Sequence, residues 1–319
     1  MPDLRLRWLL PAIAFACAAP AGTQAPPSPL PPGDADDSET FDWTVNRTDR
    51  MTVPISIGAS GPYRFIVDTG SERTVLSREL AQRLGLAAGT PVIVHSMTEV
   101  RRTTTALVPS LRVGRRRVEN IHAPLLSQHN LGADGLLGVD SLASQRVELD
   151  FTSNEMTVSP SRRHPPAWDG EGAIVVRARS RLGRLILVDA AFDGERVWVI
   201  VDTGAEVSIA NEALRRRLQR RGRLGPTVPL EVVSVTGGTR TVDYGVARRV
   251  RIGSAEIENL PVGFADVEPF RQLGLVDRPA ILLGMDALQL FDRVSLDFAN
   301  REVRLQSPAS APPRRPAAP

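Results

Sequence analysis

An eight-residue segment occurs twice in this chain. Phe65-Ile66-Val67-Asp68-Thr69-Gly70-Ser71-Glu72 returns as Val199-Ile200-Val201-Asp202-Thr203-Gly204-Ala205-Glu206. Self-similarity of this kind means that one structural unit is used twice. A second pair follows in the same order, Gly135-Leu136-Leu137-Gly138-Val139-Asp140 and Ile281-Leu282-Leu283-Gly284-Met285-Asp286. A third pair closes each half, Val147-Glu148-Leu149-Asp150-Phe151 and Val294-Ser295-Leu296-Asp297-Phe298. The second half carries about a dozen extra residues between its first two blocks, near 267–277.

Between these blocks the apolar residues mostly alternate with polar ones, and β-branched residues and glycine or asparagine turns are frequent. Val53-Pro54-Ile55-Ser56-Ile57-Gly58 and Leu185-Ile186-Leu187-Val188-Asp189-Ala190 read as strands on this period of two. Short helices are predicted over 78–84 with Ser77 as N-cap and over 212–221 with Asn211 as N-cap. Two more are predicted after the glycine blocks, at 140–144 and 286–290. The expectation is a mainly β protein of two similar lobes.

Length and composition agree with two lobes. At about 150 residues per domain, 319 residues suffice for two cores plus tails. An apolar content of 42% and a charged content of 24% are those of an ordinary globular chain. Every one of the 39 basic residues is arginine, but 36 acidic residues are interspersed, so the net charge is only +3. Arginine runs such as 115–117 and 215–217 have no aromatic platform beside them and read as solvated faces, so no nucleic acid partner is expected.

The termini read differently. Arg5 and Arg7, an apolar stretch over 8–19 and small residues after it have the pattern of an export signal over 1–22. The expected location is therefore the periplasm or cell envelope, or the medium. Cys17, the only cysteine, stands in Ala14-Phe15-Ala16-Cys17, which resembles a bacterial lipoprotein cleavage box with Ala14 where a larger aliphatic residue is usual. It is either a lipidation site, the only membrane attachment expected, or a residue of a discarded leader. The remaining divisions are a flexible tether over 23–47, a first lobe over 48–160, a linker over 161–180, a second lobe over 181–307 and a disordered tail over 308–319.

A lone Asp-Thr-Gly is a weak motif, but its repetition in matched context is not. Three apolar residues before each aspartate make a buried strand that delivers the carboxylate to a lobe surface, and Gly70 and Gly204 permit the tight turn that follows. Two carboxylates brought together cannot both ionise easily, so one keeps its proton while the other is an anion.

The paired Asp-Thr-Gly loops, each followed by an apolar-apolar-Gly segment, resemble the retropepsin-like and pepsin-like aspartic peptidases over about residues 48–306. The short lobes look like two fused retroviral-type subunits, a bacterial single-chain two-lobe form. The resemblance implies two β-barrel lobes about a pseudo-twofold axis, with Asp68 and Asp202 facing across it and sharing one proton, as aspartic peptidases do. It implies a polypeptide substrate, a water as nucleophile, no cofactor, no metal and a monomer. Thr69, Gly70 and Ser71, with Thr203, Gly204 and Ala205, would support the two loops, the threonines interlocking between lobes. Gly138 and Gly284 would pack behind them. Ser71, where the other loop has Ala205, is expected to donate a hydrogen bond to ionised Asp68.

A substrate in such a cleft needs a cover. The best segments are the polar turns containing Ser96, Met97 and Thr98 in one half and Thr236, Gly237 and Gly238 in the other. Neither contains a tyrosine, unlike the flap of pepsins; the tyrosines are Tyr63 and Tyr244.

Other chemistries fit less well. His95, His122, His129 and His164 have no close metal-ligand spacing, and a Gly-x-Ser-x-Gly elbow is absent. The remaining alternatives are a catalytically inactive duplicated β-barrel acting as a binding or assembly module, and lobes that pair between chains. Two intact Asp-Thr-Gly loops speak against decay, because paired buried carboxyls are costly to keep.

Overall fold

The computed structural model describes residues 39–42, 44–45, 51–114, 116–162 and 173–308. The expected signal, Cys17, most of the tether, and the tail from 309 onward lie outside these residues.

The fold is mainly β and repeats one topology twice. In the first lobe, Met51–Ile57 pairs antiparallel with Ser60–Val67, and Ser60–Val67 runs parallel to Gly135–Leu137. In the second, Arg184–Leu187 pairs antiparallel with Trp198–Val201, which runs parallel to Ala280–Leu283. The apolar runs before each aspartate are therefore central strands with neighbours on both sides. Phe65, Ile66, Val67, Val199, Ile200 and Val201 are all buried. Parallel central strands are covered on both faces, which is why these segments are apolar without alternation.

Each lobe also carries a long hairpin, Val100–Val113 with Arg116–Leu126 and Thr239–Ile252 with Ala255–Phe264. A further strand lies against the first arm of each, Ala88–His95 in one lobe and Val228–Val233 in the other. The turns at 96–99 and 234–238 connect these strands.

The third repeated block joins the lobes. Gln145–Asp150 pairs antiparallel with Arg293–Asp297, with Val147 opposite Leu296 and Glu148 opposite Ser295. Glu148 and Ser295 occupy equivalent positions in the two repeats, so the pairing is symmetric about them and the pseudo-twofold relation of the lobes is built into one ladder.

The helices follow their caps. Arg78–Arg83 begins at Ser77, whose hydroxyl accepts from the Leu80 N–H at 3.1 Å. Glu212–Arg220 begins at Asn211, whose Oδ1 accepts from the Leu214 N–H at 3.0 Å. Each such bond satisfies one of the free donors at a helix start. Val139–Leu142 and Met285–Leu288 follow the glycine blocks, and Glu268–Gln272 falls in the extra residues of the second half.

Two boundaries differ from the sequence expectation. Ala173–Arg181, all but its last residue inside the expected linker, is a strand that pairs with Glu302–Gln306 and with Arg184–Leu187. Glu39–Asp42 and Thr44–Val45, inside the expected tether, are strands as well, the first along Glu155–Pro160 and the second along Met51–Ile57. In both places a sheet edge with unpaired backbone groups recruits a neighbouring segment whose own pattern is weak.

Candidate active site

Each aspartate follows the last residue of a central strand and is held by the strand beside it. The Asp68 N–H donates to Leu137 O and the Asp202 N–H to Leu283 O, both at 3.0 Å. Beyond them, Gly70 donates its N–H to Asp68 Oδ1 and Gly204 donates to Asp202 Oδ1, both at 2.9 Å. Two loops of identical backbone pattern thus present two carboxylates.

The loops meet between the lobes. The Thr69 hydroxyl donates to Val201 O at 2.9 Å and accepts from the Thr203 N–H at 3.1 Å. Reciprocally, the Thr203 hydroxyl donates to Val67 O at 2.7 Å and accepts from the Thr69 N–H at 3.2 Å. Both threonines are buried, so four backbone groups of the loops depend on two hydroxyls.

This exchange brings the carboxyls together. A Cβ placed on Gly70 would lie 2.3 Å from Asp202 Cγ, and one on Gly204 would lie 2.2 Å from Asp68 Cγ. Each loop glycine is the space in which the opposite carboxyl sits, and the two carboxyls are joined by a side-chain hydrogen bond.

Behind the loops the second block does the bracing. Asp140 accepts from the Thr74 N–H and hydroxyl at 2.9 and 2.7 Å, and Asp286 accepts from the Ser208 N–H and hydroxyl at 2.9 and 2.7 Å. The same hydroxyls accept from the N–H of Gly138 and Gly284. A Cβ on Gly138 would lie 2.4 Å from the Arg73 carbonyl carbon, so the block packs directly on the loop backbone. Asp140 and Asp286 received no role from sequence reasoning, although their recurrence after both glycines was a readable signal.

A cavity of about 560 Å³ opens on Asp68 and Asp202. Val75, Leu126 and Leu136 line it from the first lobe, and Ile209, Leu230 and Val232 from the second. Of the expected cover residues, Ser96 and Met97 line this cavity, whereas Thr98, Thr236, Gly237 and Gly238 do not. The two turns nevertheless touch: the Thr236 hydroxyl donates to Ser96 Oγ at 3.0 Å, and Arg101 Nη1 donates to Thr236 O at 2.8 Å. His95, which opens the first of these turns, bonds Glu268 Oε1 through Nδ1 at 2.7 Å and ties that turn to the other lobe.

The family model for aspartyl proteases matches residues 53–141 and 188–287, one stretch in each lobe and together more than half of the chain. The chain belongs to the aspartyl protease family. A search of curated proteins returned no match.

The electrostatics of this family member are those of a buried acid pair. Desolvation first, and then the charge of Asp202, push the Asp68 carboxyl well above the usual carboxylate range. Burial raises Asp202 as well, but the hydrogen bond from Asp68 and the N–H groups of Gly204 and Ala205 oppose the shift. Asp202 is 6% exposed, while Asp68 keeps some surface toward the cavity.

The expected bond from Ser71 to Asp68 is not formed. The Ser71 hydroxyl donates to Arg73 O at 2.9 Å, because the turn after Gly70 carries the side chain toward its own chain and away from the carboxylate. The pair also has a neighbouring cation, which sequence reasoning missed. Arg184, 5% exposed, comes from the second lobe with its Nε donating to Gly70 O and its Nη1 to Glu72 Oε1 at 3.0 Å. Its charge lowers both aspartates. No local pattern marks one arginine among 39 as the one folded against the pair.

Proposed function

We propose that this member of the aspartyl protease family is an active endopeptidase that hydrolyses peptide bonds of extended polypeptides with a water activated between Asp68 and Asp202. The observation that carries the reading is the reciprocal threonine exchange, which holds two hydrogen-bonded carboxyls in the lining of a cavity of about 560 Å³ between the lobes.

In this mechanism the buried pair shares one proton, both carboxyls being raised by burial; with that proton on Asp68, Asp202 is the anion. Asp202 takes a proton from the water as its oxygen attacks the peptide carbonyl carbon, and the Asp68 hydroxyl donates a hydrogen bond to the developing oxyanion. The carbonyl π-bond electrons move onto that oxygen. As the tetrahedral species collapses, the C–N bond breaks and a proton passes to the leaving nitrogen, giving a carboxyl and an amine. The rigid threonine-linked loops supply preorganisation, since neither carboxyl needs to move to reach its partner.

The test is digestion of an unfolded protein by wild type, Asp68→Asn and Asp202→Asn. Both substitutions should lower the rate by on the order of 10³-fold or more, the scale of a lost acid–base group. Cleavage that survives both changes, or a folded wild type without any, would overturn the proposal.

A further inference from the structure

A second cavity, of about 280 Å³, adjoins the first and shares Leu126 and Asn130 with it. Its lining includes Arg78, Arg101 and Arg102 and no carboxylate. Arg101 is anchored by its bond to Thr236 O and stands 3.9 Å from Glu99. Arg78 and Arg102 have no ion-pair partner among the described residues.

Further donors accompany the guanidinium groups. Ser127 precedes the short helix Gln128–Leu131, but its hydroxyl caps no backbone N–H and is free for another acceptor. Asn130 completes the wall, and its amide lies close enough to Gly237 that a Cβ there would sit 2.6 Å from Nδ2. Three like charges around one small cavity repel each other, and an anion placed among them relieves that repulsion. Guanidinium groups also match planar oxyanions with two parallel hydrogen bonds, which a single ammonium cannot do.

We propose that this second cavity is an anion subsite, which receives the carboxylate of an acidic side chain from a peptide lying in the first cavity. The peptide as source rests on the endopeptidase reading; the chemistry of the subsite, small-oxyanion recognition by arginine, rests on the cavity alone. Residues from both turns border it, Arg101 after the first and Thr236 in the second, so an acidic side chain bound there lies where the two covering segments touch.

The experiment measures calorimetric binding to full-length Asp202→Asn, which does not consume the peptide, with Asp68→Asn as a second preparation. A set of matched apolar decapeptides carries Glu or Gln at one position at a time, and inorganic phosphate is titrated separately. At one position Glu should bind roughly tenfold more tightly than Gln, a difference typical of a partly solvated charge-assisted contact. Added salt should shrink it, and Arg78→Gln or Arg102→Gln should remove most of it.

Equal affinities for Glu and Gln at every position, or a preference untouched by both arginine substitutions, would overturn the proposal. Phosphate binding that needs Arg78, without any preference among peptides, would assign the cavity to a free anion and overturn the peptide source. Selective peptide binding by a wild type that cleaves nothing would refute the catalytic reading and leave the subsite standing.

Discussion

Arg184 of the second lobe donates its Nε hydrogen to the carbonyl oxygen of Gly70 in the first. Gly70 also donates its N–H to Asp68, so one buried cation holds the loop and acts on the charge of the pair.

Replacing Arg184 should therefore move the acid limb of activity. A nearby cation favours the carboxylate form, so its loss raises the pH at which the pair acquires its negative charge. In Arg184→Met the acid limb of kcat/KM should shift to higher pH, with Arg184→Lys shifting less. A profile that only falls in height, with its limb in place, would mean that the arginine is structural alone.

The threonine exchange predicts a stability loss. Thr69→Val removes the donor to Val201 O and the acceptor for the Thr203 N–H, leaving two buried backbone groups without partners. Unfolding in urea should show a loss of about 2–6 kcal/mol, from about one to three for each unsatisfied group. Thr69→Ser, which keeps the hydroxyl, should recover most of it.

The acid pair itself should cost stability at neutral pH. Both carboxyls have folded-state values raised above their usual 3.8, so over that interval the native state binds more protons than the unfolded chain. By linkage, stability from this pair is complete below about pH 3.8 and falls as pH rises toward the raised native values. Asp68→Asn removes the penalty. It should be more stable than wild type near neutral pH, with the margin closing as the pH drops below about 4; equal urea midpoints at both ends would contradict this.

A methyl group behind the loop should be harmful out of proportion to its size. Gly138→Ala would place its Cβ 2.4 Å from the Arg73 carbonyl carbon, against backbone that cannot swing aside. Overpacking of this kind costs about 1–3 kcal/mol. The proteolytic rate should fall further than stability alone explains, because the displaced segment ends the Asp68 loop. Comparison of melting temperature and kcat on one preparation checks both.

Much of the architecture was legible because it is local and repeated. Ser77 and Asn211 mark helix starts by chemistry acting within three residues. The Val-Asp-Thr-Gly and Leu-Leu-Gly blocks announce their pairing by recurring in the same order. The strands at 39–42 and 173–181 were missed for the opposite reason, since Glu155–Pro160 and Glu302–Gln306, far away in the chain, pair with them, and only the last four residues of the second also pair locally, with Arg184–Leu187. Ser71 was misjudged because one serine in a turn can bond a carboxylate or a carbonyl, and only the turn's own geometry chooses.

The order of amino acids alone determined that two equivalent lobes form and that each presents one aspartate, because periodicity, capping and repetition act over a few residues. Only the tertiary structure decided that the two carboxyls are buried against each other, that Arg184 is the cation beside them, and that three arginines converge next to the cleft. Those outcomes depend on distances between groups far apart in sequence and on how much water remains around them. Neither quantity is defined until the chain has packed.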